Sequence, residues 1–108
     1  MVDEMSPEEL NERLDRGEEI QVVDIRQPDS FESGHIPGAT NVPFDQFARE
    51  IDSREWGEEV VVVCPLGESS LQAARLLESY EAVDEDARVA NLAGGYREWG
   101  YDLESGDQ

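Results

Sequence analysis

Residues 60–71 read Val-Val-Val-Val-Cys-Pro-Leu-Gly-Glu-Ser-Ser-Leu, an apolar run that ends on the chain's only cysteine and opens through a Pro/Gly/Ser loop into a helical pattern. Four consecutive β-branched residues favour a strand buried on both faces, the kind found at the centre of a parallel sheet. That order puts Cys64 at the carboxyl tip of the strand, facing the amino end of the next helix. Unpaired N–H groups at a helix start favour negative charge, which a thiolate carries. Cys64 is therefore a candidate nucleophile, with an inert core cysteine as the alternative.

Outward from this run, strand and helix patterns alternate. Ser6-Pro7-Glu8-Glu9 reads as a helix start, with Ser6 as cap, Pro7 at the first helical position and Glu9 placed for a capping box. Leu10 and Leu14 give its apolar stripe and Gly17 its stop. Ile20–Ile25 reads as a buried strand, residues 26–38 as a loop with one helical turn, and 39–42 as a short strand. Pro43 opens a helix with Phe44, Phe47 and Ile51 on one face. From Ser69 to Tyr80 the chain carries Ala73, Leu76, Leu77 and Tyr80 at core-facing spacing. Arg88–Leu92 is a further strand, Gly94-Gly95 a turn into a last short helix at Tyr96–Trp99, and the acidic tail 102–108 is expected to be loose. The expectation is one α/β domain over 1–108, with its core at about 5–101: a mainly parallel sheet flanked by helices on both faces. Such sheets bind ligands outside the carboxyl ends of their strands. Asp24-Ile25-Arg26, the Cys64 loop and Leu92-Ala93-Gly94-Gly95-Tyr96 all fall there.

Composition bounds the function. There are 108 residues with a net charge of −19, from 27 acidic and 8 basic side chains, all eight of them arginine. At molar salt the Debye length falls to about 3 Å, so the repulsion within such a surface largely disappears. Acids spread along a lysine-free chain resemble proteins of halophilic archaea; the competing reading is a surface for a basic partner. Nucleic-acid binding is disfavoured, because no basic patch is visible. No apolar stretch approaches the ~20 residues that span a bilayer, and the acidic N-terminus is unlike a secretory signal. One cysteine and one histidine do not make a zinc site of the usual kind. The expectation is a cytoplasmic protein without membrane segment, metal or cofactor.

Three segments carry a resemblance to the rhodanese family of sulfurtransferases: residues 22–43, Val-Val-Asp-Ile-Arg-Gln-Pro-Asp-Ser-Phe-Glu-Ser-Gly-His-Ile-Pro-Gly-Ala-Thr-Asn-Val-Pro; the Cys64–Ser70 loop; and residues 92–99, Leu-Ala-Gly-Gly-Tyr-Arg-Glu-Trp. The resemblance covers roughly residues 5–101. It implies a rhodanese-like fold and a double displacement. The Cys64 thiolate takes the outer sulfur of thiosulfate or of a persulfide, small-molecule or protein-bound, and the Cys64 persulfide passes it to a thiol, cyanide or a sulfur-acceptor protein. The binding loop is then Pro65, Leu66, Gly67, Glu68, Ser69 and Ser70, with backbone N–H groups of 65–70 ringing the negative sulfur. Gly67 allows unusual backbone angles, and the two serines supply hydroxyl donors or a helix cap.

One position departs from a common form of that loop. Many members carry arginine where this chain has Ser69, and the residue before it is Glu68. The forked cation that would hold thiosulfate is missing, which favours a less charged donor such as a persulfide on another protein. Supporting roles are open for Asp24 and Arg26 (a structural ion pair, with Arg26 meeting an acid in the following loop, or a pocket role), for His35 (packing or general base) and for Gly94 and Gly95 (a tight turn against the active loop). Tyr96 and Trp99 read as core aromatics. Two other functions compete. A cysteine phosphatase needs a cation inside the loop, and serines stand there. A non-catalytic rhodanese-like binding or regulatory module typically lacks the cysteine, which is present here.

Overall fold

The computed structural model describes residues 2–80 and 86–106. Five strands, β1 (Asp3–Met5), β2 (Gln21–Asp24), β3 (Thr40–Asn41), β4 (Glu59–Val63) and β5 (Arg88–Leu92), form one sheet in the order β1-β5-β4-β2-β3. Every neighbouring pair is parallel. The valine run is the central strand. Its side chains alternate: Val60 and Val62 enter one core with Cys64, whereas Val61 and Val63 enter the other. The period-two pleat thus divides a uniformly apolar stretch between two buried faces.

Helices α3 (Phe44–Glu50) and α4 (Ser69–Glu78) supply Phe47, Ala73, Ala74 and Leu77 to the first core. The second core takes Leu10 from α1 (Pro7–Asp15), Phe31 from α2 (Pro28–Ser33), and Trp99 from just beyond a short 3-10 helix (Gly95–Glu98). Helix α1 begins as its sequence dictates, Ser6 Oγ accepting from the Glu9 N–H at 3.1 Å. The reciprocal half of the capping box is absent, because the Glu9 carboxylate faces Arg13 and Arg88 instead. The helix stops in a Schellman motif: Gly17 at φ +77° donates to the Leu14 carbonyl and Glu18 to that of Arg13.

Several expectations are corrected. Strand β1 was not foreseen; it is a short acidic edge strand paired, among the described residues, with β5 alone. Phe44 and Leu76, expected in the core, are exposed, and the buried face of α4 is Ser70, Ala73, Ala74 and Leu77. That helix ends at Glu78, and Tyr80 packs half-buried after it. The tail is not loose over its described length, 102–106. His35 and Glu104 exchange two backbone hydrogen bonds of 2.9 Å, and the Trp99 indole donates to the Asp102 carbonyl. Residues 107–108 lie outside the described residues. No described helix is long and apolar enough to cross a membrane.

Candidate functional site

The chain runs from β2 to β3 on one side and returns to β4 on the other, so the sheet's switch point lies between β2 and β4. Cys64 follows β4 at the carboxyl edge of this point, where open α/β sheets place their ligands. Its Sγ accepts from the Gly67 N–H at 3.0 Å and the Ser70 N–H at 3.3 Å, and lies 3.1 Å from Ser70 Oγ. Helix α4 has no capping side chain at Glu68. The sulfur occupies that role, receiving a first-turn N–H that an N-cap oxygen would otherwise take. Burial pushes the thiol up. The Ser70 hydroxyl and the N–H groups of Ser70, Leu66 and Gly67 outweigh it and hold Cys64 below the ordinary thiol value.

This geometry changes two details of the expected loop. Pro65 has no N–H to offer, and neither serine caps the helix by its side chain. Ser70 is buried against the sulfur, whereas Ser69 is exposed at the rim. The opening above the sulfur is a cavity of about 240 Å³ lined by Cys64, Pro65, Leu66, Glu68 and Ser69. Leu66 is 51% exposed there, and among the described residues no cation lines the cavity.

The two glycines after β5 clamp the loop from behind. Gly94 and Gly95 have φ of +74° and +60°. A Cβ on Gly95 would sit 2.1 Å from the Cys64 carbonyl oxygen and 2.8 Å from the Gly67 nitrogen. That approach lets the Tyr96 N–H donate to the Cys64 carbonyl at 3.0 Å and the Arg97 N–H to that of Pro65 at 2.9 Å. The first turn of the 3-10 helix thus ties down the segment that holds the sulfur.

Asp24, Arg26 and Tyr96 form a buried network. The Asp24 carboxylate accepts from Arg26 Nη2 at 2.8 Å, from the Arg26 backbone N–H at 2.9 Å and from the Tyr96 hydroxyl at 2.8 Å. Arg26 also donates to the Gly34 carbonyl at 2.6 Å and lies 3.8 Å over the Tyr96 ring. Its acid is therefore Asp24 itself, two residues back, rather than one in the following loop. Burial, then the Asp24 charge, pushes the Tyr96 phenol well above its usual range. His35 is buried, stacked 3.8 Å from Phe31, with Nδ1 on the Phe31 carbonyl at 2.7 Å and Nε2 3.4 Å from Glu104. None of its contacts reaches the Cys64 loop.

Asn91, in β5, was missed by the sequence reading. It is 2% exposed, accepts from the Ser70 hydroxyl through Oδ1, and donates through Nδ2 to the Gly67 carbonyl at 3.1 Å. The available signal was the alternation Val89, Asn91, which puts a polar side chain on the Cys64 face of a strand that is otherwise apolar after Arg88.

Residues 6–102 match the family model described as Rhodanese-like domain. The chain is 36% identical over 87 residues to the thiosulfate sulfurtransferase GlpE of Shewanella oneidensis, covering 81% of this chain and 82% of that protein. A sulfurtransferase of Allochromatium vinosum is 33% identical over 99 residues, 92% of this chain and 89% of its own. The crystal structure of a rhodanese-like domain protein from Staphylococcus aureus superposes with a TM-score of 0.80 at 27% identity, covering 96% and 98% of the two chains. Two relatives from Bacillus subtilis are longer, and the chain spans 51% and 60% of their lengths. The matched span takes in all three segments around the sulfur, and the chain belongs to the rhodanese-like domain family.

Proposed function

We propose that this chain is a sulfurtransferase whose Cys64 carries the sulfur as a persulfide, loaded by a persulfide donor in preference to thiosulfate. The observation that carries the reading is the sulfur in the place of a helix cap, with two backbone N–H groups on it under an open mouth. In the first step the Cys64 thiolate attacks the outer sulfur of R–S–SH. A new S–S bond forms, the donor S–S bond breaks, and R–S⁻ leaves with the electron pair. In the second step a nucleophile such as cyanide takes the outer sulfur and returns the thiolate. The terminal sulfur of the intermediate is anionic, and preorganised N–H groups with the α4 dipole behind them stabilise it.

Donor choice follows from the rim. Thiosulfate is a dianion, and Glu68 with no cation in the lining offers it no partner. A phosphatase reading fails on the same ground, since Ser70 stands where a phosphate-binding arginine would be needed and is hydrogen-bonded to the sulfur. The test is thiocyanate formation from cyanide. We expect turnover with a small-molecule persulfide, none in Cys64→Ala, and a gain of about tenfold or more in kcat/KM for thiosulfate in Ser69→Arg, the worth of one charge-assisted hydrogen bond. Equal wild-type use of both donors would refute the donor preference. Turnover with no donor would leave a binding module.

A further inference from the structure

The Ser70 hydroxyl has one proton and two neighbours that compete for it. Its Oγ lies 3.1 Å from Cys64 Sγ and is also hydrogen-bonded to Asn91 Oδ1. The far end of the Asn91 amide settles which way it faces. Nδ2 meets the Gly67 carbonyl oxygen at 3.1 Å and the Glu4 carboxylate oxygens at 3.0 and 3.3 Å, all of them acceptors. A reversed amide would set oxygen against three oxygens. Oδ1 therefore faces Ser70, and an amide oxygen only accepts.

With a protonated sulfur the chain of bonds is consistent: the S–H donates to Ser70 Oγ, and the Ser70 O–H donates to Asn91. A thiolate has no proton to give. To serve it, Ser70 must turn its O–H to the sulfur and leave the buried Asn91 Oδ1 without that donor, which carries a cost. We propose that Asn91, held in orientation by Glu4 and the Gly67 carbonyl, is a positioning residue that competes with Cys64 for the single Ser70 hydroxyl proton and so restrains ionisation of the resting thiol. Backbone N–H groups then do most of the holding of the resting sulfur, and the hydroxyl is a donor released when the sulfur becomes anionic.

The charged groups on the strands and helices around the sulfur are Asp3 and Glu4 on β1, Asp24 on β2, Glu59 on β4, Glu68, Arg75 and Glu78 at α4, Arg88 on β5, and Arg97 and Glu98 on the 3-10 helix. None of them hydrogen-bonds Sγ. The inference rests on Cys64 being the reacting sulfur, as proposed above, but its readout needs no sulfur donor. A protein that shows the shift below yet transfers no sulfur would sink that reading and leave this one standing.

The test is the pH dependence of Cys64 alkylation by iodoacetamide in the full chain, with circular dichroism as the check on folding. Asn91→Leu removes the competing acceptor, and its midpoint is expected to fall by roughly 0.5–1 pH unit, the value of one neutral hydrogen bond redirected to the sulfur. Asn91→Val, better suited to a strand, is read the same way should the leucine variant not fold. Ser70→Ala is expected to raise the midpoint, and adding Asn91→Leu to it should produce no further change. An unchanged or raised midpoint in the Asn91 variant overturns the proposal. So does the same fall in the Ser70→Ala background, because a merely structural effect would not need the hydroxyl.

Discussion

Gly95 is the position where the fold and the sulfur loop come closest, so Gly95→Ala tests whether the clamp behind Cys64 is real. The new methyl would meet the Cys64 carbonyl oxygen at 2.1 Å, and the Pro65 carbonyl carbon and Gly67 nitrogen at 2.8 Å. All three are backbone atoms and cannot swing aside. Close C···O contacts begin at about 3.3 Å, so the two segments must part by roughly 1 Å. Holding alanine at φ +60° costs ~1–2 kcal/mol. Parting the segments also breaks the Tyr96–Cys64 and Arg97–Pro65 backbone bonds, each worth about 1 kcal/mol net. The expected loss is about 3–4 kcal/mol, read by urea unfolding. Gly100→Ala is the control. A Cβ there meets no atom within 4 Å, so its effect should stay within about 0.5 kcal/mol. A loss under about 1 kcal/mol for Gly95→Ala, with an unaltered pH profile of Cys64 alkylation, would refute the clamp.

Three further outcomes follow. Arg26→Ala strands the fully buried Asp24 carboxylate and should cost about 3–5 kcal/mol in urea unfolding; a loss below 1 kcal/mol would show the pair to be incidental. Because its hydrogen bonds lower the Cys64 thiol from the ordinary value of about 8.5, the midpoint of alkylation should lie below that pH. The sign for stability is fixed by the same shift: the contribution is present above the unfolded thiol's pKa and lost as pH falls through the folded one, and Cys64→Ala should lack it. A midpoint at or above 8.5 contradicts this. Finally, with a net charge of −19, the melting temperature should rise between low and molar KCl as repulsion is screened; a flat response would mean the acids are already compensated.

How much of this was legible in the sequence depended on whether a feature is local. The valine run, the Ser6 cap and the Gly17 stop are local, and each fixes its element wherever the chain goes. Strand β1 is not: Asp3-Glu4-Met5 has no strand pattern, and it becomes a strand only because β5 offers an open edge. The tail was misjudged for the same reason, since its order comes from a backbone pair with His35, 69 positions away. Phe44 and Leu76 fit a helical apolar stripe by spacing, but the helices are turned so that Phe47, and Ala73, Ala74 and Leu77, meet the sheet instead. At the sulfur, the position of Cys64 followed from strand–loop–helix order alone. The identity of its hydrogen-bond donors did not, because Pro65 and the serines take roles set by the loop's fold. Asn91 belongs to the site through the register of β5 beside β4, which sequence order does not reveal.

The central claim is that Cys64 carries sulfur. Intact-mass measurement of the reduced chain after exposure to a small-molecule persulfide in molar KCl, followed by removal of the donor, tests it most directly. The account predicts a gain of one sulfur atom, mapped to Cys64, lost on addition of cyanide with release of thiocyanate, and absent in Cys64→Ala. A wild-type mass that stays unchanged with persulfide and with thiosulfate, or a gain that persists in Cys64→Ala, would contradict it.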